Sequence, residues 1–394
     1  MITSLPSAIA DKPALKESFT STGSKLAWHQ DVLKSMREDK RGKPVVVHLL
    51  IDDRCQDSCS FCSVLTREGN QLPFGIIQGI LDQLVPLGLK SVILSGAGNP
   101  ILYRCKLTGR DFNDVVNEIH GRGLQIGLIT NGMPLKQYPC GRTSWKTVSP
   151  ETLDKLTWVR ISMSGLDHER KVVQVPDIDK SRTTLGFSWI MADIIKAPHE
   201  LNHGKVSTLR DFHRYEGLDA IPEIESVDDR MPWIEDQIRE YVEKYDPKYV
   251  RLLSNCLEPE KIDQRHVALS EMGARIDKNR VFSQWKPPAQ PRVCYKGYPH
   301  PVVNSDGWVF SCDSVVLNTK DNADADHRFN NKWRVCRWDE LTKLYADPIR
   351  PLVPNDICSG CVFNQQVDEL GDIVDGFMDT PPMPETEPEH SAFI

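Results

Sequence analysis

The sequence predicts an α/β protein, a partial (β/α)6 TIM-like barrel followed by a small C-terminal α+β domain. Three observations predict it. Between residues 45 and 255, six short runs rich in β-branched residues alternate with segments whose apolar residues recur at helical spacing, the pattern of βα units around a parallel sheet. That rhythm stops after residue 258. Beyond a helical stretch, KIDQRHVALSEMGARID, a cysteine-bearing region takes over, which places a domain boundary near 280 to 290.

The six strands are expected at VVVHLLI (45–51), SVILSG (91–96), LQIGLITN (124–131), WVRISMS (158–164), LGFSWIM (185–191) and YVRLLSN (249–255). Apolar stripes mark the helices between them: Ile76, Ile80, Leu84 and Leu87; Phe112, Val115, Val116 and Ile119; Ile234, Ile238, Tyr241 and Tyr245. Gly88, Gly123 and Gly132 mark helix ends or turns. The domains are therefore expected as an extension packed on the barrel (1–44), the barrel (45–285), a cysteine domain (286–370) and a tail (371–394). The tail is proline-rich and acidic, so it is expected to be disordered. Residues 192–231 are too long for a plain loop and read as an insertion, a lid or a substrate-binding element.

A chain of 394 residues can bury a full core, and a formal charge of −7 leaves no broad basic surface for duplex nucleic acid. The longest apolar runs fall far short of the roughly 20 residues of a membrane-spanning helix. The N-terminus does not read as a signal peptide, so a cytoplasmic location is expected. In a reducing compartment the eleven cysteines serve as metal ligands, catalytic groups or buried side chains rather than disulfide partners. Seven fall into two groups, Cys55, Cys59 and Cys62, then Cys294, Cys312, Cys358 and Cys361; Cys105, Cys140, Cys256 and Cys336 stand alone.

The first group sits in CQDSCSFC, directly after the first strand. An iron–sulfur cube has four irons, and thiolates normally supply a ligand to each. A loop offering three leaves one iron open, as a catalytic zinc keeps one position free, and an exogenous molecule can bind there. A zinc knuckle on Cys59 and Cys62, or plain buried cysteines, is the competing reading.

The spacing C-x3-C-x2-C, with Phe61 just before Cys62, resembles the signature of the radical S-adenosylmethionine (SAM) enzymes. That resemblance implies a [4Fe–4S] cluster whose open iron binds SAM, cleavage of SAM to a 5′-deoxyadenosyl radical, and hydrogen abstraction from a substrate. It also implies a flavodoxin- or ferredoxin-type reductant. SGAGNP (95–100) resembles the family's glycine-rich turn, with Gly96 and Gly98 able to bring backbone close to SAM and Asn99 in place of the glutamate of many members. TNG (130–132) and ISMS (161–164) resemble further SAM-contacting positions, which gives Thr130 and Ser162 that role. All of these fall at C-terminal strand ends, the face where βα barrels build active sites.

The second group has a predicted β-hairpin with the turn NSDG between Cys294 and Cys312, and a Cx2C hook at Cys358 and Cys361. Four thiolates serve zinc or [4Fe–4S] equally well. Gly307 in DGWVFSC resembles the start of the SPASM/Twitch auxiliary-cluster domains, which implies a small C-terminal α+β iron–sulfur domain with one closed second [4Fe–4S] cluster. Oxidation of a small-molecule alcohol is the favoured reaction, because a closed cluster can accept an electron. Rearrangement of a modified nucleobase or an amino-acid-linked nucleotide, and peptide modification, are the alternatives.

HELNH (199–203) matches the H-E-x-x-H zinc motif through His199 and His203, with Glu223 as a third ligand. Gly204 directly after it argues against the long helix such sites occupy, so a zinc hydrolase is the lesser reading, beside a zinc-stapled binding module. No acid or base stands out; Asp167, Arg251 and the two insertion histidines are the candidates.

Overall fold

A computed structural model describes residues 18–20, 23–55, 59, 61–62, 69–132, 148–167, 173–196, 223–256, 258–312, 334–352 and 361–394. The six expected strands form as β1 (Val46–Leu49), β2 (Ser91–Leu94), β3 (Gln125–Thr130), β4 (Trp158–Ser162), β5 (Thr184–Met191) and, after a short antiparallel pair β6 (Ile194–Lys196) and β7 (Glu223–Glu225), β8 (Tyr249–Ser254). Further strands follow as β9 (Val281–Gln284), β10 (Val302–Val303), β11 (Trp308–Phe310) and β12 (Arg334–Arg337). Apart from β6 and β7, they make one ten-stranded sheet in the order β12-β11-β10-β1-β2-β3-β4-β5-β8-β9. Every pairing from β10 through β1 to β9 is parallel.

Among the described residues the helices of six or more residues are α1 (Gln30–Arg37), α2 (Phe74–Leu84), α3 (Phe112–Gly121), α4 (Met231–Tyr245), α5 (Ile262–Asp277), α6 (Leu341–Ala346) and α7 (Asn364–Asp375). Asp111 starts α3 with a capping box: its carboxylate accepts from the Asn113 and Asp114 amides while Asp114 accepts from the Asp111 amide. The outward residues of the central strands, Val159, Ile161, Phe187, Val250 and Leu252, are wholly buried under the helices. Phe187, for example, meets Tyr241 of α4 edge to face at 5.9 Å. The alternate residues of those strands face the barrel interior.

Two elements differ from the sequence expectation. The predicted hairpin forms, with Gly307 at φ +81° in the turn and its amide donating to Asn304 O at 2.8 Å, but it does not stand apart from the barrel. β10 pairs in parallel with β1, His48 opposite Val302, and β9 adds another strand at the other edge, so the sheet continues past the expected boundary.

Residues 371–394, expected to be disordered, complete α7 and then run back along α1. Gln30 Nε2 donates to Pro381 O at 2.9 Å, Arg37 pairs with Asp379, and His29 Nε2 bonds Ser391 O at 2.9 Å. The last three residues are buried: Ser91 Oγ donates to Ala392 O, His300 Nδ1 to Ile394 O, and Phe393 packs edge-on against Trp158 at 5.2 Å. Proline-rich acidic composition hides this, because the carbonyls of Pro381, Ser391, Ala392 and Ile394 and the apolar terminal residues anchor the segment, and a composition average registers neither. With Phe19 stacked on Tyr249 at 4.2 Å, the terminus closes the N-terminal mouth of the barrel. Among the described residues no helix is long and apolar enough to cross a membrane.

Candidate active site

The cysteine loop leaves β1 through a neck. The buried Asp52 carboxylate accepts from Arg54 Nη2 at 2.6 Å and from Gln71 Nε2 at 2.6 Å. Backbone bonds from Asp53 N to Asn70 O and from Leu72 N to Ile51 O zip the two sides together. Above the neck, Cys55, Cys59, Phe61 and Cys62 are all half-buried, and the Cys62 amide donates to Cys59 O at 3.0 Å.

Gly96 and Gly98 are required by this loop. A Cβ on Gly98 would lie 2.1 Å from the Arg54 carbonyl oxygen, and one on Gly96, whose φ is +102°, would lie 2.1 Å from Leu50 Cδ2. The glycine-rich turn after β2 therefore packs directly under the first cysteine, whatever lies above it.

Asn99, Thr130 and Asn131 form a buried chain that ends on sulfur. Thr130 Oγ1 donates to Asn99 Oδ1 at 2.8 Å, Asn99 Nδ2 to Asn131 Oδ1 at 3.1 Å, and Asn131 Nδ2 to Cys55 Sγ at 3.6 Å. Sequence reasoning missed Asn131. Its signal was present, since it follows Thr130 at the end of β3, but only the fold reveals that its amide reaches the cysteine. Ser162 is half-buried at the C-terminal end of β4 and pairs in register with Ser188 of β5.

Of the acid–base candidates, Asp167 ends a short 3-10 turn after β4, and Arg251 lies on the inner face of β8. Arg251 Nη1 donates to Gln284 Oε1 at 3.2 Å. Burial, then the nearby Arg160 charge, lowers its pKa, yet a guanidinium stays protonated at neutral pH and makes a poor base. His199 and His203 lie outside the described residues, so the HELNH motif has no described geometry; Glu223 opens β7.

Three cysteines of the second group come together. Cys294 and Cys361 are buried in a small cluster with Leu50, Ala97, Val302 and Phe310, against which Cys312 and Phe363 pack. The Cys361 backbone bridges Ala289, and Cys358 lies outside the described residues. Burial, with a contribution from Cys361, pushes the Cys294 thiol up to about 11. Because Leu50 and Ala97 flank the first cysteine loop, the two cysteine groups share one apolar wall.

Among the described residues no three His, Cys, Asp or Glu side chains are grouped as a single metal ion would need. Zinc requires sulfurs about 2.3 Å from one centre, whereas the thiolates of a cube each bind a different iron and stand further apart. The first loop fits a cube in its donor set: three thiols on one short loop, and an amide N–H directed at the Cys55 sulfur, as metal-bound thiolates accept.

No family model matches the sequence. Over 121 residues, 31% of this chain, it is 30% identical to an S-adenosylmethionine-dependent nucleotide dehydratase of Selenomonas ruminantium. The chain spans 39% of the length of that relative. Among solved structures it is similar to Streptococcus suis SuiB bound to precursor peptide SuiA (14% identity, TM-score 0.44, 78% of this chain and 66% of that one). It is also similar to BtrN in complex with AdoMet and 2-DOIA (11% identity, TM-score 0.37, 89% of this chain and 98% of that one). In its three-cysteine loop and in the stretch it shares with a SAM-dependent relative, the chain resembles the radical SAM enzymes.

Proposed function

We propose that this chain is a radical SAM enzyme, and the observation that carries the reading is a loop of three thiols at the C-terminal end of β1 with an amide N–H on the first of them. When bound, a [4Fe–4S] cluster and SAM supply a 5′-deoxyadenosyl radical that takes a hydrogen atom from a substrate carbon, and a second cluster supplies an electron acceptor. Cys55, Cys59 and Cys62 hold the first cluster, and the Asp52 neck fixes their loop. Phe61, Gly96, Gly98, Asn99, Thr130 and Ser162 surround the SAM position. Asn99 and Thr130 already bond one another, so they act as an oriented pair. Cys294, Cys312, Cys358 and Cys361 hold the second cluster, in the C-terminal region that extends the barrel sheet through β10.

The finer reading is oxidation of a small-molecule alcohol, supported by the gathering of Cys294, Cys312 and Cys361 beside the first loop. A second reading, loss of water from a nucleotide, is favoured by the likeness to the Selenomonas nucleotide dehydratase. Both begin with hydrogen removal at or next to a carbinol carbon. The products tell them apart, one lighter than substrate by two hydrogens and the other by a water. A flavodoxin- or ferredoxin-type protein is the proposed reductant and the cytoplasm the proposed location.

Anaerobic reconstitution, iron counting and assay of 5′-deoxyadenosine with dithionite and SAM test the core reading. The expected result is two clusters per chain and SAM cleavage abolished by Cys55→Ala. A protein that binds zinc and not iron, or a Cys55→Ala variant that still forms 5′-deoxyadenosine, overturns it.

A further inference from the structure

We propose that Arg160 and Arg251 seat a phosphoryl group of the substrate inside the barrel, below Ser162. Both lie on inward faces. Arg160 alternates with Trp158, whose ring occupies the space of a Gly127 Cβ, and Arg251 with Tyr249, whose ring occupies that of Gly186.

In register Arg160 sits beside Gly186, and Arg251 beside Ser188, which itself sits beside Ser162. The strand between the two arginines, β5, thus presents its two smallest inward residues there. The Tyr249 ring lies over Gly186, and its hydroxyl interacts with Arg160 and lies within range of the Arg251 charge.

Two half-buried cations that face the same interior favour a counter-charge. Among the described residues neither makes an ion pair. Among those residues the partners of Arg251 and Arg160 are neutral: the Gln284 amide for the first, and the Tyr249 hydroxyl with the Trp158 ring at 5.8 Å for the second. The Nε of each is sealed from solvent with no hydrogen-bond partner. The two guanidiniums, each within electrostatic range of the other, therefore offer unused Nε donors and two positive charges to the same stretch of the interior. A phosphate monoester matches both at neutral pH, with nearly two negative charges and three acceptor oxygens, and forked guanidinium donors suit it. A single carboxylate leaves one charge uncompensated.

This deepens the radical SAM reading by naming the substrate's chemical class and depends on that reading only for what the phosphorylated molecule undergoes. Binding itself needs no electron, so it can be read even from protein that never cleaves SAM. The test is equilibrium dialysis of radiolabelled pyrophosphate against the anaerobically reconstituted chain, with parallel assays of 5′-deoxyadenosine. One saturable site per chain is expected, displaced by ribose 5-phosphate and by uridine 5′-monophosphate but not by malonate. Tighter displacement by the nucleotide assigns the source as a nucleotide, and the reverse order as a sugar phosphate; either supports the site.

Arg251→Lys and Arg160→Lys keep charge and approximate volume while losing the fork, and each is expected to weaken binding about 10- to 100-fold, the worth of a charged hydrogen bond. Absence of saturable pyrophosphate binding to the wild-type chain, equal displacement by malonate, or unchanged affinity in both lysine variants overturns the proposal. Loss of binding in those variants with 5′-deoxyadenosine formation intact separates this site from the cluster chemistry.

Discussion

Asn131 donates its side-chain amide to the sulfur of Cys55 at 3.6 Å, tying the end of β3 to the first cysteine of the loop after β1. Hydrogen bonds to cluster sulfurs raise the reduction potential, and partners behind a metal ligand are commonly worth 10- to 100-fold in activity or affinity. Asn131→Leu is expected to retain iron, to lower the potential of the cluster proposed on the three-cysteine loop, and to slow 5′-deoxyadenosine formation by about tenfold. Anaerobic redox titration followed by electron paramagnetic resonance checks it; an unchanged potential refutes the role.

The neck at Asp52 makes a separate prediction. Its buried carboxylate accepts from Arg54 and Gln71 at once. Asp52→Ala leaves those donors unmet at a cost of about 1–3 kcal/mol. A lower melting temperature is expected, together with weaker retention of iron by the three-cysteine loop on incubation with a chelator. Iron loss at the wild-type rate contradicts the neck's role.

At the rim, Asp193 and Glu258 share Lys261 and Arg265, with Lys261 Nζ 2.8 Å from Asp193 and Arg265 Nη1 2.7 Å from Glu258. Burial alone raises both carboxyls, but hydrogen bonds from Lys261 to Asp193 and from Arg265 to Glu258 outweigh it, and both end below their ordinary values. Depressed carboxylates contribute stability above their unfolded pKa of about 4 and lose it as pH falls through the folded value. Hydrogen bonds to the same carboxylates raise Lys261, whose contribution is complete below about 10.4 and fades as pH rises through its folded value. Melting temperature is expected to hold between these limits and to fall on the acid side, less steeply in Lys261→Met. Identical acid limbs in the two proteins would remove the network from the account.

Phe393 lies against Trp158 at the closed mouth of the barrel. Truncation to alanine costs about 3–5 kcal/mol if the cavity stays open. Phe393→Ala is expected to lower the melting temperature and to expose the amides of β4 to hydrogen exchange. Exchange at wild-type rates would mean that the terminus merely lies on the surface.

The six strands β1 to β5 and β8 were legible because each is a short β-branched run, and Cys55, Cys59 and Cys62 because spacing alone carries their chemistry. β9 was not, since VFSQ is short and half polar and becomes a strand only by pairing with β8. Likewise NSDG announced a hairpin, but nothing local says that β10 will pair with β1, some 250 residues away. The tail misled because composition averages over a window while its hold on the fold rests on carbonyls and the final Ala392, Phe393 and Ile394. Arg160 and Arg251 are ordinary strand residues until register places Gly186 and Ser188 between them.

Sealed below by Phe19, Phe393 and their neighbours, the β-sheet makes a cup rather than a tube. With that end covered, its floor is approached from the C-terminal rim, where the cysteine loop lies, or through the gap between the sheet edges β9 and β12, which do not pair among the described residues. A molecule seated at the floor would then be overlain on the rim side by whatever the three cysteines hold.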